Sequence, residues 1–210
     1  MTQIPESLLT HKQRYLPLLS RLASLFREMD RAYAAIADRY GFQCNGCADN
    51  CCLTRFHHHT LAEYLYLAQG LRTLEPVLRQ AVRQQALTVC AVMTDADRDG
   101  ERLRILCPLN RDGRCGLYAY RPMICRLHGL PHELHRPAEP VIEQPGCDAF
   151  FSQCRKSGKT TYIPFDRTPF YRQMALLEND LRLSTGYTEK IKLTIAQMLV
   201  TFTEKAYEID

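Results

Sequence analysis

Cys44-Asn-Gly-Cys47-Ala-Asp-Asn-Cys51-Cys52 places four thiols within nine residues. Two cysteines separated by two residues can turn their sulfurs toward one ion, and Asn45-Gly46 allows the tight loop this needs. Such a knuckle suits zinc, or iron within a cluster. The adjacent pair Cys51-Cys52 points elsewhere, because neighbouring side chains generally diverge and seldom serve one mononuclear ion. A cluster, or two centres sharing a wall, uses such a pair more naturally. A second group follows: Cys107-Pro-Leu, then Cys115-Gly-Leu-Tyr118-Ala-Tyr-Arg121-Pro122-Met-Ile-Cys125-Arg126, with Cys147 further on. Free cysteines are often small buried hydrophobes, and Cys90, beside Leu87 and Val89, fits that description. Eight thiols concentrated in loops and at element ends fit it poorly. The expected ligands are therefore Cys44, Cys47, Cys51, Cys52, Cys107, Cys115, Cys125 and Cys147, with Cys154 open.

The chain has 210 residues, 46% of them apolar and 24% charged, with ten cysteines and no tryptophan. At roughly 100–200 residues per domain, residues 1–210 read as one domain, which has core enough to fold without disulfide staples. Clustered thiols in a reducing compartment more often bind metal or do redox chemistry than form bridges. No apolar run approaches the roughly 18 residues of a membrane span, and the first residues lack a signal-peptide pattern. The expected address is cytoplasmic. A net charge of +4 does not by itself indicate a broad nucleic-acid-binding face. No phosphate loop, nucleophile elbow or catalytic triad is evident.

The elements that must position the thiols read as mainly α: a helical domain with a small β-hairpin and cysteine-rich loops around a metal centre. An N-terminal helix spans 16–40, after a separate turn around Leu8–Tyr15. Leu18, Leu22, Leu25, Met29, Ala32 and Ile36 recur at helical spacing, Pro17 sits in the first turn, and Gly41 supplies the stop. Burial is the ordinary meaning of such a stripe, and a homodimer seam is its alternative. A cysteine-cluster core occupies 42–154. Within it Thr60-Leu-Ala-Glu63 reads as a capping box for a helix ending near Gly70. A second helix runs from Leu74 to Val92. Asp95-Ala-Asp97-Arg-Asp99-Gly100 begins like a calcium loop, but Leu106 stands where the chelating glutamate belongs. It reads as a solvated turn leading into a strand over 102–106. Asn110-Arg-Asp-Gly-Arg114 reads as a hairpin turn, Pro122 opens a short helix, and proline-rich 129–146 reads as irregular. A helical pair occupies 168–207, capped by Thr168-Pro169 and by Thr188 and divided at Gly186.

His57-His58-His59 reads as a solvated turn before the capping box; the alternative is that one imidazole completes or serves the site. His128, one helical turn after Cys125, is the better ligand or hydrogen-bonding neighbour of the sulfurs. Arg121 and Arg126 flank Pro122 and Cys125. They either offset the negative charge of a thiolate cluster or form surface ion pairs with Glu133 or Asp148.

The paired and adjacent cysteines, the Cys107-Pro-Leu segment and the Cys-x-x-Tyr-x-x-Arg-Pro-x-x-Cys-Arg run from Cys115 to Arg126 resemble the YkgJ-like cysteine-cluster family. The resemblance covers about residues 42–150 and implies chelation of zinc or iron. One departure appears: Ala48-Asp49-Asn50 puts three residues, where the family usually has two, between the second and third cysteines. The resemblance also implies that Arg121 and Arg126 steady the bound centre and that Tyr118 packs over the sulfurs. A similar cysteine cluster occurs in flagellin lysine methylases, associated there with an iron–sulfur cluster, which favours iron by analogy. The expectation is an iron–sulfur cluster of the 4Fe–4S type in a redox, sensing or accessory role beside an unidentified protein or redox partner. Its alternatives are a structural zinc module and a metal-dependent modification enzyme.

Overall fold

The computed structural model describes residues 8, 12–44, 51–101, 103–159 and 161–202. Helix α1, Leu16–Tyr40, has the expected bounds, with Pro17 in its first turn. Gly41 ends it at φ 67°, its N–H returning to the carbonyls of Ala37 and Asp38. That left-handed residue is where glycine costs least. Leu19, Leu22, Leu25, Phe26 and Met29 are buried, and α1 packs on α4 (Met123–Leu127) and α6 (Thr168–Thr185). The apolar stripe is thus used within the chain.

Helix α2, Leu61–Arg72, is buried on nearly every side, as suits a helix apolar all round. Thr60 Oγ1 accepts from Glu63 N–H. The reciprocal half of the capping box is not formed, because Glu63 Oε1 accepts instead from Met123 N–H at 2.9 Å. Glu178 of α6 completes the cap, its carboxylate accepting from Leu61 and Ala62 N–H at 2.8 and 2.9 Å. Gly70 does not end the helix. An added Cβ there would lie 2.4 Å from the Tyr120 ring, so its role is close approach.

Helix α3, Pro76–Asp99, overruns the expected end at Val92. Asp95, Asp97 and Asp99 form its last turns, and Gly100 caps it at φ 73°. Asp97 holds Arg55 in a two-pronged pair at 2.5 and 2.6 Å, which favours helix over turn. The expected strand over 102–106 is not formed, residues 103–106 being irregular. Strands β1 (Asn110–Arg111) and β2 (Arg114–Cys115) make the expected hairpin. Asp112 and Gly113 both have positive φ, 49° and 82°, as a tight two-residue turn demands.

Residues 129–146 are not irregular throughout. β3 (His132–Leu134) pairs antiparallel with β4 (Ile142–Gln144). Pro131, Pro137, Pro140 and Pro145 all fall outside the paired segments, so none removes a ladder donor. Helix α5, Asp148–Ser157, begins at Cys147. Asp166 caps α6 by accepting from Thr168 N–H, leaving the Thr168 hydroxyl to accept from His135 N–H. The last helix, α7, is Ile195–Thr201 and starts at Thr194, not Thr188, with a full capping box to Gln197. Its expected end at 207 lies outside the described residues. α7 packs on α3, and the described buried apolar residues other than Ala96 form one cluster. Among the described residues no helix is long and apolar enough to cross a membrane.

Candidate metal centre

The described cysteines of the two groups are each held by a backbone feature, some local and some between distant segments. Cys44 follows the cap of α1, where Gln43 is clamped to Gln153 of α5 by two hydrogen bonds of 2.9 Å. Cys51 and Cys52 lie on a 3-10 turn, Cys51–Leu53. Cys107 N–H donates to Cys52 C=O at 2.8 Å, so the two cysteine groups are joined through their backbones. Cys107 C=O then accepts from Asn110 N–H at 2.8 Å, and the β1–β2 register sets Cys115 across from Asn110. Cys125 sits on α4, whose N-terminal amide Glu63 holds. Cys147 N–H donates to Gly129 C=O at 2.9 Å. Gly146 makes that approach feasible, since a Cβ there would come 2.8 Å from the Gly129 oxygen.

These features bring seven of the eight expected ligands to one cavity of about 440 Å³: Cys44, Cys51, Cys52, Cys107, Cys115, Cys125 and Cys147. Cys47 lies outside the described residues. Cys90 of α3 and Cys154 of α5 pack against the apolar core instead. All nine described cysteines are free thiols. Among the described residues, no three His, Cys, Asp or Glu side chains are grouped to hold a single ion.

The thiols share an electrostatic environment. Hydrogen bonding to Cys52 and then burial push the Cys51 thiol up. The same bond, helped by Asn110 and Arg121 and opposed by burial, brings Cys52 down to about 6. Burial raises Cys107, Cys115 and Cys125, and all three also feel the charge of Cys52. Buried thiols that raise one another favour the neutral form until a cation arrives, and metal binding then drives them to thiolate. The cavity's donors suit a thiophilic centre. Among the described residues the lining offers sulfur and imidazole and no carboxylate, which matches zinc or iron–sulfur chemistry, whereas magnesium and calcium need oxygen.

Arg126 is 3% exposed. It donates to Asp30 of α1 at 2.6 Å, to Arg121 C=O at 2.8 Å and to Ala119 C=O, and lies 4.2 Å over the Phe26 ring. Arg121 shares Asp30 at 3.4 Å and lines the cavity. Both arginines therefore pair with Asp30 and not with Glu133 or Asp148. The two guanidinium groups share one carboxylate, and Arg121 also helps to lower the Cys52 thiol. Tyr118 also lines the cavity, but the residue is 55% exposed, and its ring centroid lies 3.7 Å from the Arg121 guanidinium carbon. Its described contact is thus with the arginine. His128 lines the cavity edge-on to Phe56, and burial lowers its pKa. Its carbonyl accepts from Tyr33 O–H at 2.9 Å.

Several contributors were not read from the sequence. Asp30 and Glu63 act across helix packing, which no local pattern signals. His58 is no solvated turn: it is 2% exposed and bridges to Leu193. Arg167, 1% exposed, donates to the carbonyls of Leu127 and Leu130 and so fixes the turn after Cys125. No protein-family model, curated protein or solved structure matches the chain.

Proposed function

We propose that the cavity holds a thiolate-bound metal centre, an iron–sulfur cluster of the 4Fe–4S type, and that the protein serves electron transfer, sensing or a partner enzyme. The reading rests on one observation: cysteines from two groups more than fifty residues apart line the same cavity, joined by the Cys107–Cys52 backbone bond. The resemblance to the YkgJ-like cysteine-cluster family points the same way. Cys52, Cys107, Cys115 and Cys125 lead the candidates for ligands because they line the cavity from both cysteine groups; Cys51, Cys107, Cys115 and Cys125 all feel the charge of Cys52. Cys44, Cys51 and Cys147 stand around the same space, and a reducing, cytoplasmic setting would keep all of them as thiols. A bound cluster would supply one-electron chemistry. The chain's own contribution is charge and access. Arg121 and Arg126 offset the negative centre, which raises a reduction potential, and Glu63 and Arg167 hold the two ends of the Cys125 segment.

Anaerobic purification followed by iron and sulfide reconstitution tests this. The expected product is coloured, contains iron and acid-labile sulfide in equal amounts, and bleaches reversibly on reduction. A protein that stays colourless and carries stoichiometric zinc would overturn the iron–sulfur reading in favour of a structural zinc site.

A further inference from the structure

The cavity has a second set of walls that carry no thiol. Val89 and Met93 of α3, Ile105 beyond it and Ile195 at the head of α7 line it with aliphatic surface. His58 lines the same cavity. Its backbone is pinned in both directions to Leu193, by bonds of 2.8 and 3.1 Å, and its ring Nε2 is buried without a hydrogen-bond partner among the described residues. A buried polar atom with no partner is satisfied by an ordered water or by a bound molecule, and of these two the aliphatic walls beside His58 suit the second. The volume, about 440 Å³, lies in the range of small-molecule sites, which combine apolar walls with few polar anchors. Burial keeps the imidazole neutral, three of the arginines that line the cavity already face carboxylates, Arg55 on Asp97 and Arg121 and Arg126 on Asp30, and the aliphatic walls offer an ionic ligand no solvation. A hydroxyl both donates and accepts, and meets either imidazole tautomer.

We propose that this cavity binds a small neutral molecule with an apolar body and one hydroxyl, the body among Val89, Met93, Ile105 and Ile195 and the hydroxyl on His58 Nε2. The site stands on the cavity and on His58, independently of any metal. Phenol and toluene are the probes, being nearly equal in size and different by one hydroxyl. Titrated into the full-length protein as purified and followed by calorimetry, phenol should bind saturably and about tenfold more tightly than toluene, as one hydrogen bond would give. His58→Phe should erase that preference while leaving toluene binding. His58→Gln, which keeps a hydrogen-bonding group, should retain part of it and gives a second variant if the first fails to fold. Val89→Trp, which fills the space, should weaken both probes. Equal affinities in the unaltered protein, a phenol preference unchanged in His58→Phe, or no binding of either probe, as with an ordered water only, would overturn the proposal. Cys107→Ser should lose metal yet still bind phenol, so the two readings fail separately.

Discussion

Replacing Gly70 by alanine sets two effects against each other. Gly70 lies inside α2, where alanine is intrinsically favoured by about 1 kcal/mol. The new Cβ, however, would stand 2.4 Å from Tyr120 Cγ, 2.6 Å from its Cβ and 2.7 Å from Cδ2. Carbon pairs prefer about 3.5–4.0 Å, so the overlap exceeds 1 Å. It falls on the stem of the side chain, where rotating the ring gives no relief. The 3-10 turn Tyr118–Tyr120 must therefore retreat from the helix, against the tilted Tyr66–Tyr120 stack at 5.0 Å. Overpacking of this kind costs about 1–3 kcal/mol, sometimes more, and so severe an overlap belongs at the upper end. The net expectation is a destabilisation of about 2 kcal/mol, or about 4–8 °C in Tm for a chain of this size. Urea unfolding followed by circular dichroism measures it. A variant more stable by about 1 kcal/mol would show that helix propensity wins, and that Tyr120 does not press on α2.

Arg126→Met should cost about 2–4 kcal/mol, because it leaves two part-buried carbonyls without their donor and Asp30 with only the long Arg121 contact; thermal unfolding checks it, and Arg126→Lys should recover only part, having no planar fork. His58 makes stability fall in mild acid. Burial, aided by His59 and His57, lowers its pKa from 6.5 to about 4, so the unfolded chain takes up the proton first. Its contribution is intact above about pH 6.5 and is lost as pH falls toward 4, by about 3 kcal/mol in all. Urea titrations at several pH values should show this slope, to which His132, also lowered to about 4 by burial, adds, and His58→Gln should reduce it without removing it. A slope of opposite sign would mean that His58 is charged in the folded protein.

Elements with a local signature were legible in the sequence. Helix α1 announced itself by apolar spacing and a glycine stop, the β1–β2 hairpin by Asp112-Gly113, and α4 by Pro122. What distant residues decide was not legible. The acidic end of α3 reads as a turn until Arg55, forty-two residues earlier, closes on Asp97. The β3–β4 pair was hidden because its prolines, which lie just outside the paired residues, dominate the composition. Helix α5 has an unusual cap, Cys147 Sγ accepting from Phe150 N–H at 3.4 Å, and a thiol that caps looks in sequence like one more ligand. Spacing suggested the two cysteine groups, and the shared wall comes from the Cys107–Cys52 bond, which no spacing rule contains. Asp30 and Arg167 act through helix packing, and no pattern around either residue marks them.

The central claim is that the two cysteine groups serve one centre. Metal and acid-labile sulfide per chain, counted after anaerobic reconstitution of single serine variants, tests it most directly. Serine is nearly isosteric with cysteine but stays protonated near neutral pH and is a far poorer ligand. Cys52→Ser, Cys107→Ser, Cys115→Ser and Cys125→Ser should each lose most of the metal. Cys90→Ser, whose side chain packs against the core away from the cavity, should keep all of it and lose only about 1–3 kcal/mol of stability. Full metal content in both Cys107→Ser and Cys125→Ser, with loss in Cys90→Ser, would contradict the account.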